Sequence, residues 1–309
     1  GKPHSKMNKR ILLIAGLLIA TISLSAQNRF ENYPLPTKPD TLRILAIGNS
    51  FSDDGTEYVP RLLEASGIHN VIIARLYIGG CTLERHCKEY DGKLHDYIYW
   101  KSGSDNHWTE EKNATITRGL KDEPWDIVTI QQASGYSGIY STISDWAPKL
   151  IDIIRKECTN PNAAIVWHQT WAYACNSNHS DFPKYDRDQQ KMQAAIQDCV
   201  DKLTKDFNIT TVIPVGVTVK YARETRLNNK GRVPEDTHFY DLTRDGFHMS
   251  LQFGRYLAAC TWYETLIKPT LGKSVKGNPY TLADTDFSIT AKDAHLCQKL
   301  AAKAVKEGR

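Results

Sequence analysis

Apolar residues along the chain fall into short runs separated by longer amphipathic stretches. Arg43-Ile44-Leu45-Ala46-Ile47 is apolar after its first residue and closes at Gly48, the pattern of a buried strand. Residues 56–66 carry a helical apolar period and stop at Gly67. Val71 to Tyr77 predicts a second strand, closed by Gly79-Gly80. Residues 84–122 are rich in aromatic and charged side chains without a clean period, which predicts a long insertion. Strands follow at 126–130, 163–167 and 211–213, with helices at 143–157 and near 186–206. An irregular stretch at 170–185 interrupts this rhythm. A long loop runs to about 248, a helix covers 250–267, and a last helix covers 290–306.

Strands alternating with helices at this spacing predict a parallel sheet covered on both faces. Five strands point to an open doubly-wound sheet rather than an eight-stranded barrel. Such sheets bind ligands beyond the carboxyl ends of their strands, so chemistry is expected just after them. There is no internal repeat, low-complexity tract or linker. The expectation is one domain over 27–309, with a polar, proline-containing lead-in at 27–41 and insertions near 84–122 and 170–185.

Composition changes this picture at one end. Of 309 residues, 41% are hydrophobic and 24% charged, enough for a sizeable core, which excludes a disordered or collagen-like chain. The net charge is +4, but Lys2, Lys6, Lys9 and Arg10 all precede Ala26 and no acid does, so residues 27–309 carry 35 basic against 35 acidic groups. A neutral body gives no reason to expect nucleic acid as a partner. Lys9-Arg10, the apolar run Ile11 to Leu24 and the small pair Ser25-Ala26 have the order of a secretory signal. The alternative is an anchor, but an apolar stretch 14 residues long falls short of the ~20 that span a bilayer. The expectation is a secreted or periplasmic protein, cut near Ser25-Ala26, with no membrane anchor afterwards. Export permits disulfides, yet the seven cysteines (81, 87, 158, 175, 199, 260 and 297) form no C-x-x-C pair. Cys81 and Cys87 could be joined by a loop, or several thiols could be buried and free.

Two strand-end segments carry candidate chemistry. The first strand runs into Gly48-Asn49-Ser50, where a hydroxyl sits between a strand and a helix start. Ser50 there is either a helix cap or a nucleophile near backbone N–H groups. Asp245-Gly246-Phe247-His248 precedes a C-terminal helix. A serine needs a base to take its proton, and the base needs an orienting carboxylate, so Asp245 and His248 could serve one point in space. The pair could equally cap a helix. A metal is disfavoured because no third ligand sits at tight spacing.

Gly48-Asn49-Ser50, a glycine after the second strand and Asp245-x-x-His248 together resemble the SGNH (GDSL-like) hydrolases, over roughly residues 42–268. Ile47-Gly48-Asn49-Ser50-Phe51-Ser52 with Asp245-Gly246-Phe247-His248-Met249-Ser250 is similar to a branch found among secreted bacterial proteins. The resemblance implies a three-layer α/β/α fold, here with a five-stranded parallel sheet, and ester hydrolysis without metal or organic cofactor. It implies Ser50 as nucleophile, His248 as base and Asp245 as orienter, with Ser50 N–H and Gly80 N–H as oxyanion donors. One block departs: the family's usual Gly-x-Asn-Asp is replaced by Ile130-Gln131-Gln132-Ala133-Ser134. A glutamine amide offers the same donor on a longer stem. By strand alternation Gln132 is favoured for that role, then Gln131, which is also read as a substrate contact, then Ser134.

Other expectations are local. Trp171 and Tyr173 follow the fourth strand and could stack on a sugar ring, or pack beneath the 170–185 stretch. Trp100 and Trp108 could form a platform over the cleft. His86, His95 and His107 read as surface histidines, and Asp53 and Asp54 as helix caps. The leading function is a secreted serine esterase removing acyl, chiefly acetyl, groups from an esterified carbohydrate or other small ester. The alternatives are a catalytically weak glycan-binding protein on the same fold and an acyltransferase.

Overall fold

The structure is a computed structural model and describes residues 29–228 and 241–308. The N-terminal segment read as a secretory signal lies outside the described residues, as does much of the loop before 248. Seven strands form one sheet in the order β4-β3-β2-β1-β5-β6-β7. They are β1 Leu42–Gly48, β2 Val71–Tyr77, β3 Tyr97–Ser102, β4 Trp108–Ala114, β5 Ile127–Ile130, β6 Ala164–Gln169 and β7 Val212–Pro214. β1 pairs in parallel with β2 and β5, β5 with β6, and β6 with β7. These are the five expected strands. β3 and β4 add an antiparallel hairpin at the β2 edge.

The expected five-stranded sheet is therefore corrected to seven strands. The hairpin lies in the aperiodic 84–122 stretch. β4 reads Trp-Thr-Glu-Glu-Lys-Asn-Ala and is exposed along most of its length. Charge on an edge strand blocks pairing with other chains, and it also erases the apolar signature of a strand. The stretch holds two helices as well, α3 Leu83–Gly92 and α4 Ile116–Asp122.

The remaining helices are α1 Ser50–Thr56, α2 Val59–Ala65, α5 Tyr140–Ser144, α6 Ala147–Glu157, α7 Gln189–Asp206, α8 Val215–Ala222, α9 Phe253–Leu266, α10 Lys268–Leu271 and α11 Ala291–Lys306. The helix expected over 56–66 is the shorter α2, Val59–Ala65, preceded by α1, which ends at Thr56; Pro60 lies in the first turn of α2. Proline suits a first turn, where its missing N–H costs nothing.

Strand alternation divides the core. Ile44 and Ala46 of β1 face one side, packed with Phe51, Leu62, Tyr256 and Leu257. Leu45 and Ile47 face the other, packed with Cys87, Leu120, Leu150 and Leu203. Helices thus flank both faces of a mostly parallel sheet. The chain leaves β1 for β2 on one side, then returns for β5 on the other. That reversal opens a crevice at the carboxyl ends of β1, β2 and β5.

No disulfide joins any of the cysteines among the described residues. Five are buried, Cys158 is half-buried and Cys175 is exposed. Cys81 and Cys87 are not joined; Cys81 Sγ lies 3.4 Å from His86 Nδ1 and Cys87 Sγ faces the Trp146 carbonyl at 3.7 Å.

Candidate active site

The turn after β1 is built around Asn49. Its Oδ1 accepts from Phe51 N–H at 2.9 Å, which caps α1, and its Nδ2 donates to Cys81 O at 3.1 Å. The two bonds tie the turn after β1 to the turn after β2. An aspartate here would keep the cap but lose the donor. Asn49, rather than Asp53 or Asp54, is the cap. Gly48 is required because a Cβ there would collide with the Ser52 hydroxyl and the Gln131 amide. Ser50 is the first residue of α1, at the crevice.

The second segment brings His248 to Ser50. His248 Nε2 lies 2.7 Å from Ser50 Oγ, and His248 Nδ1 lies 2.5 Å from Asp245 Oδ2. Asp245 Oδ1 also accepts from His248 N–H at 2.7 Å and from Phe247 N–H at 3.1 Å. One carboxylate therefore shapes the turn with one oxygen and holds the ring with the other. Burial pushes the Asp245 carboxyl up, but the His248 and Phe247 hydrogen bonds outweigh it and hold it below the ordinary carboxylate value. A carboxylate facing Nδ1 keeps that proton on Nδ1, which leaves the Nε2 lone pair for the Ser50 hydroxyl.

Asp54 locks this turn to α1. It is fully buried, and its Oδ1 accepts from Arg244 Nη1 and Arg255 Nε, each at 2.9 Å. Its Oδ2 accepts from Met249 N–H at 2.9 Å. A buried carboxylate survives only when paired and fully hydrogen-bonded. Here the pairing joins the helix that bears Ser50 to both sides of His248.

A cavity of about 430 Å³ opens over these groups, lined by Ser50, Tyr77, Gly79, Gly80, Ser134, Gly135, Tyr136, His179, Asp181, Phe247 and His248 among others. Gly80 sits at φ +64°, a region that favours glycine. The backbone N–H groups of Ser50 and Gly80 make no hydrogen bond among the described residues.

The glutamines do not reach this cavity. Gln132 Oε1 accepts from Leu83 N–H at 3.0 Å and Ala133 N–H at 2.8 Å, and its Nε2 donates to Thr142 O at 3.1 Å. Gln131 Oε1 accepts from Ser52 Oγ at 2.5 Å, and its Nε2 donates to Asn49 Oδ1 at 3.2 Å. Both side chains are buried. The expectation of Gln132 as an oxyanion donor, and of Gln131 as a substrate contact, is corrected: their amides satisfy buried backbone and hydroxyl groups that would otherwise be unpaired. Ser134 does line the cavity, with its hydroxyl 2.8 Å from Tyr173 OH.

Trp171 and Tyr173 are corrected as substrate contacts too, since both are fully buried. Trp171 stacks on Phe51 at 4.3 Å and donates from Nε1 to Phe247 O at 2.7 Å, so it braces the segments that carry Ser50 and His248. Trp100 and Trp108 form no platform; they flank the Arg75 guanidinium, at 5.2 and 4.2 Å. Arg75 in turn pairs with Asp53 at 3.2 Å and Glu57 at 2.9 Å. Among the three histidines read as surface groups, His86 is buried against Tyr97, and burial pushes its pKa down to about 3.

Residues 43–304 match DUF4886, a domain of unknown function. The chain belongs to this family. A DUF4886 family protein from Bacteroides uniformis is 38% identical, with a TM-score of 0.75 over 86% of this chain and 95% of that one. An acetylxylan esterase from Geobacillus stearothermophilus is 12% identical, with a TM-score of 0.45 over 75% of this chain and 95% of that one. An alpha/beta hydrolase from the metagenome of Lake Arreo is 10% identical, with a TM-score of 0.44 over 73% and 94%. No curated protein matches.

In this DUF4886 member, four residues around the site escape sequence reading. Asn49 bridges two turns, Asp54 binds two arginines, and His179 with Asp181 lines the cavity. The flanking of His248 by Arg244 and Arg255 was a usable signal for Asp54, because a buried acid needs such partners. For His179 and Asp181 the only signal was their place beyond the carboxyl end of a strand.

Proposed function

We propose that the chain is an SGNH-type serine esterase. The single observation behind this reading is the Ser50–His248–Asp245 chain of contacts, at 2.7 and 2.5 Å, at the mouth of a cavity. Ser50 Oγ attacks the ester carbonyl while His248 Nε2 takes its proton. The tetrahedral oxyanion is met by the Ser50 and Gly80 N–H groups. His248 then returns the proton to the departing alcohol, leaving an acyl-serine. Water, deprotonated by the same nitrogen, releases the acid and restores Ser50. Asp245 fixes the tautomer throughout and stabilises the imidazolium that forms between steps.

The substrate in this reading is an acyl, chiefly acetyl, ester of a carbohydrate, a choice that follows the SGNH resemblance. Purified protein is expected to release acetate or p-nitrophenol from model esters, and Ser50→Ala is expected to lose that activity. Equal rates from the two proteins would sink the reading. We also propose export, on the strength of Lys9-Arg10, Ile11 to Leu24 and Ser25-Ala26. N-terminal sequencing of the protein from its host should find a start near Ala26 or Gln27; retention of Met7 would refute it.

A second reading is a glycan-binding protein with little turnover. It is favoured by one observation: Gln132 spends its amide on backbone, so it supplies no third oxyanion donor. Loss of one donor costs about 10²–10³ in rate. A covalent serine probe separates the readings. Labelling of Ser50 supports the enzyme, whereas saccharide binding without labelling supports the binder.

A further inference from the structure

The segment between β6 and α7 forms a wall of the cavity that the chemical step does not use. His179 and Asp181 lie there beside Tyr136 and Phe247. The His179 ring is fixed: it meets Phe247 edge-on at 4.7 Å and lies 4.5 Å from Tyr173. Its Nδ1 accepts a hydrogen bond from Asp181 N–H at 3.0 Å. A ring nitrogen that accepts carries no proton, so the neutral ring has its proton on Nε2. Burial pushes the His179 pKa down, against the opposing pull of Asp181, which favours that neutral form. The Nε2–H has no partner among the described residues.

Asp181 supplies the complement. Its Oδ1 is taken by Lys184 Nζ at 2.9 Å. Its Oδ2 is 4.0 Å from His179 Nδ1, beyond a hydrogen bond. It packs over Gly135, where any Cβ would collide with it. One fixed donor and one fixed acceptor therefore stand together on a wall of the cavity that holds Ser50.

The geometry points to His179 Nε2–H and Asp181 Oδ2 as a hydroxyl-reading pair that holds the alcohol part of the ester, a neutral sugar with a free hydroxyl beside the acylated one. This rests on the esterase reading above. A hydroxyl is both donor and acceptor, so one hydroxyl, or two neighbours, can satisfy both groups at once. Tyr136 and Phe247 add flat apolar surface for the sugar's C–H face. Asp181 Oδ2 selects against a sugar that carries a carboxylate, because Lys184 occupies only Oδ1 and a carboxylate has no proton to donate to the remaining acceptor.

The test compares three acetyl esters: an O-acetylated neutral methyl pyranoside, the corresponding uronate, and p-nitrophenyl acetate. Wild-type protein is expected to prefer the neutral pyranoside over the uronate by about tenfold or more in kcat/KM. Asp181→Asn is expected to narrow that preference to about threefold or less, mainly through KM, and Asp181→Glu to restore part of it. An unchanged neutral-to-uronate ratio in Asp181→Asn overturns the proposal. Should Asp181→Asn fail to fold, His179→Phe carries the same question. It removes the Nε2–H, and the pyranoside to p-nitrophenyl acetate ratio should fall about tenfold; an unchanged ratio overturns the proposal. A wild-type protein that cleaves none of the three esters overturns the esterase reading and this one with it. Cleavage of all three, indifferent to Asp181 and His179, overturns only the hydroxyl pair.

Discussion

The turn after β5 and the turn that carries Asp245 and His248 offer the same signal, polar side chains at the sheet's carboxyl edge. They end in opposite places. Gln131 and Gln132 turn inward and spend their amides on Asn49, Ser52, Leu83, Ala133 and Thr142. Asp245 and His248 turn outward to Ser50. The difference lies in which backbone groups need partners. Leu83 N–H and Ala133 N–H are buried and have no other acceptor among the described residues, and the long glutamine stem reaches both. At the other turn a single Asp245 oxygen serves two N–H groups, which frees the second oxygen for the ring. A polar residue near a site goes first to whatever would otherwise be buried unpaired.

Substitutions can break this contrast, and the largest effect should come from the outward turn's target. Ser50→Ala is expected to lower kcat by about 10⁴-fold or more with an unchanged melting temperature. A residual rate within tenfold of wild type would mean Ser50 is only a helix residue. Asp245→Asn comes next, at about 10³–10⁴-fold in kcat. Asparagine can still accept from the Phe247 and His248 N–H groups, but its amide turned to Nδ1 would force the proton to Nε2. The ring could then no longer accept from Ser50. The tautomer is readable by ¹⁵N NMR of His248, and an unaltered tautomer would refute this account.

Asp54→Asn tests the link between α1 and the base turn. Leaving Arg244 and Arg255 without their buried anion should cost about 3–5 kcal/mol of stability. Denaturant unfolding measures the loss; a change below 1 kcal/mol, against the expectation from buried ion pairs, would show that the two arginines find other partners. Gln132→Leu should give the smallest effect and the sharpest one. It leaves Leu83 N–H and Ala133 N–H unpaired, at about 1–3 kcal/mol of stability, with kcat on a model ester within about threefold. A 10²-fold drop in kcat at unchanged stability would instead return Gln132 to the oxyanion hole.

Legibility followed the number of contacts that a residue's immediate sequence can specify. The five parallel strands were readable because both their faces are buried, so each is an apolar run. β4 was not, because an exposed edge strand carries Glu110, Glu111 and Lys112, a pattern that also suits a loop. α8 was hidden for the reverse reason. Val215–Ala222 is nearly all buried, so it shows no amphipathic period to separate helix from strand. Trp171 and Tyr173 could be read as sugar platforms because aromatic side chains suit a surface and a core equally. Their burial depends on Phe51, Phe247 and Ser134, which come from three other segments.

The sequence by itself determined the alternation of strands and helices, and it singled out Ser50, Asp245 and His248 as residues suited to meet. These are properties of local period and short spacing, which neighbours along the chain set. Only the tertiary structure decided which polar groups near the crevice remain free to act. That choice depends on which donors and acceptors from distant segments are left unpaired when the segments pack. Gln132 lost its freedom to Leu83 and Thr142, residues 49 and 10 positions away. His179 and Asp181 came to line the cavity instead, with His179 Nδ1 paired to Asp181 N–H and Asp181 Oδ1 paired to Lys184.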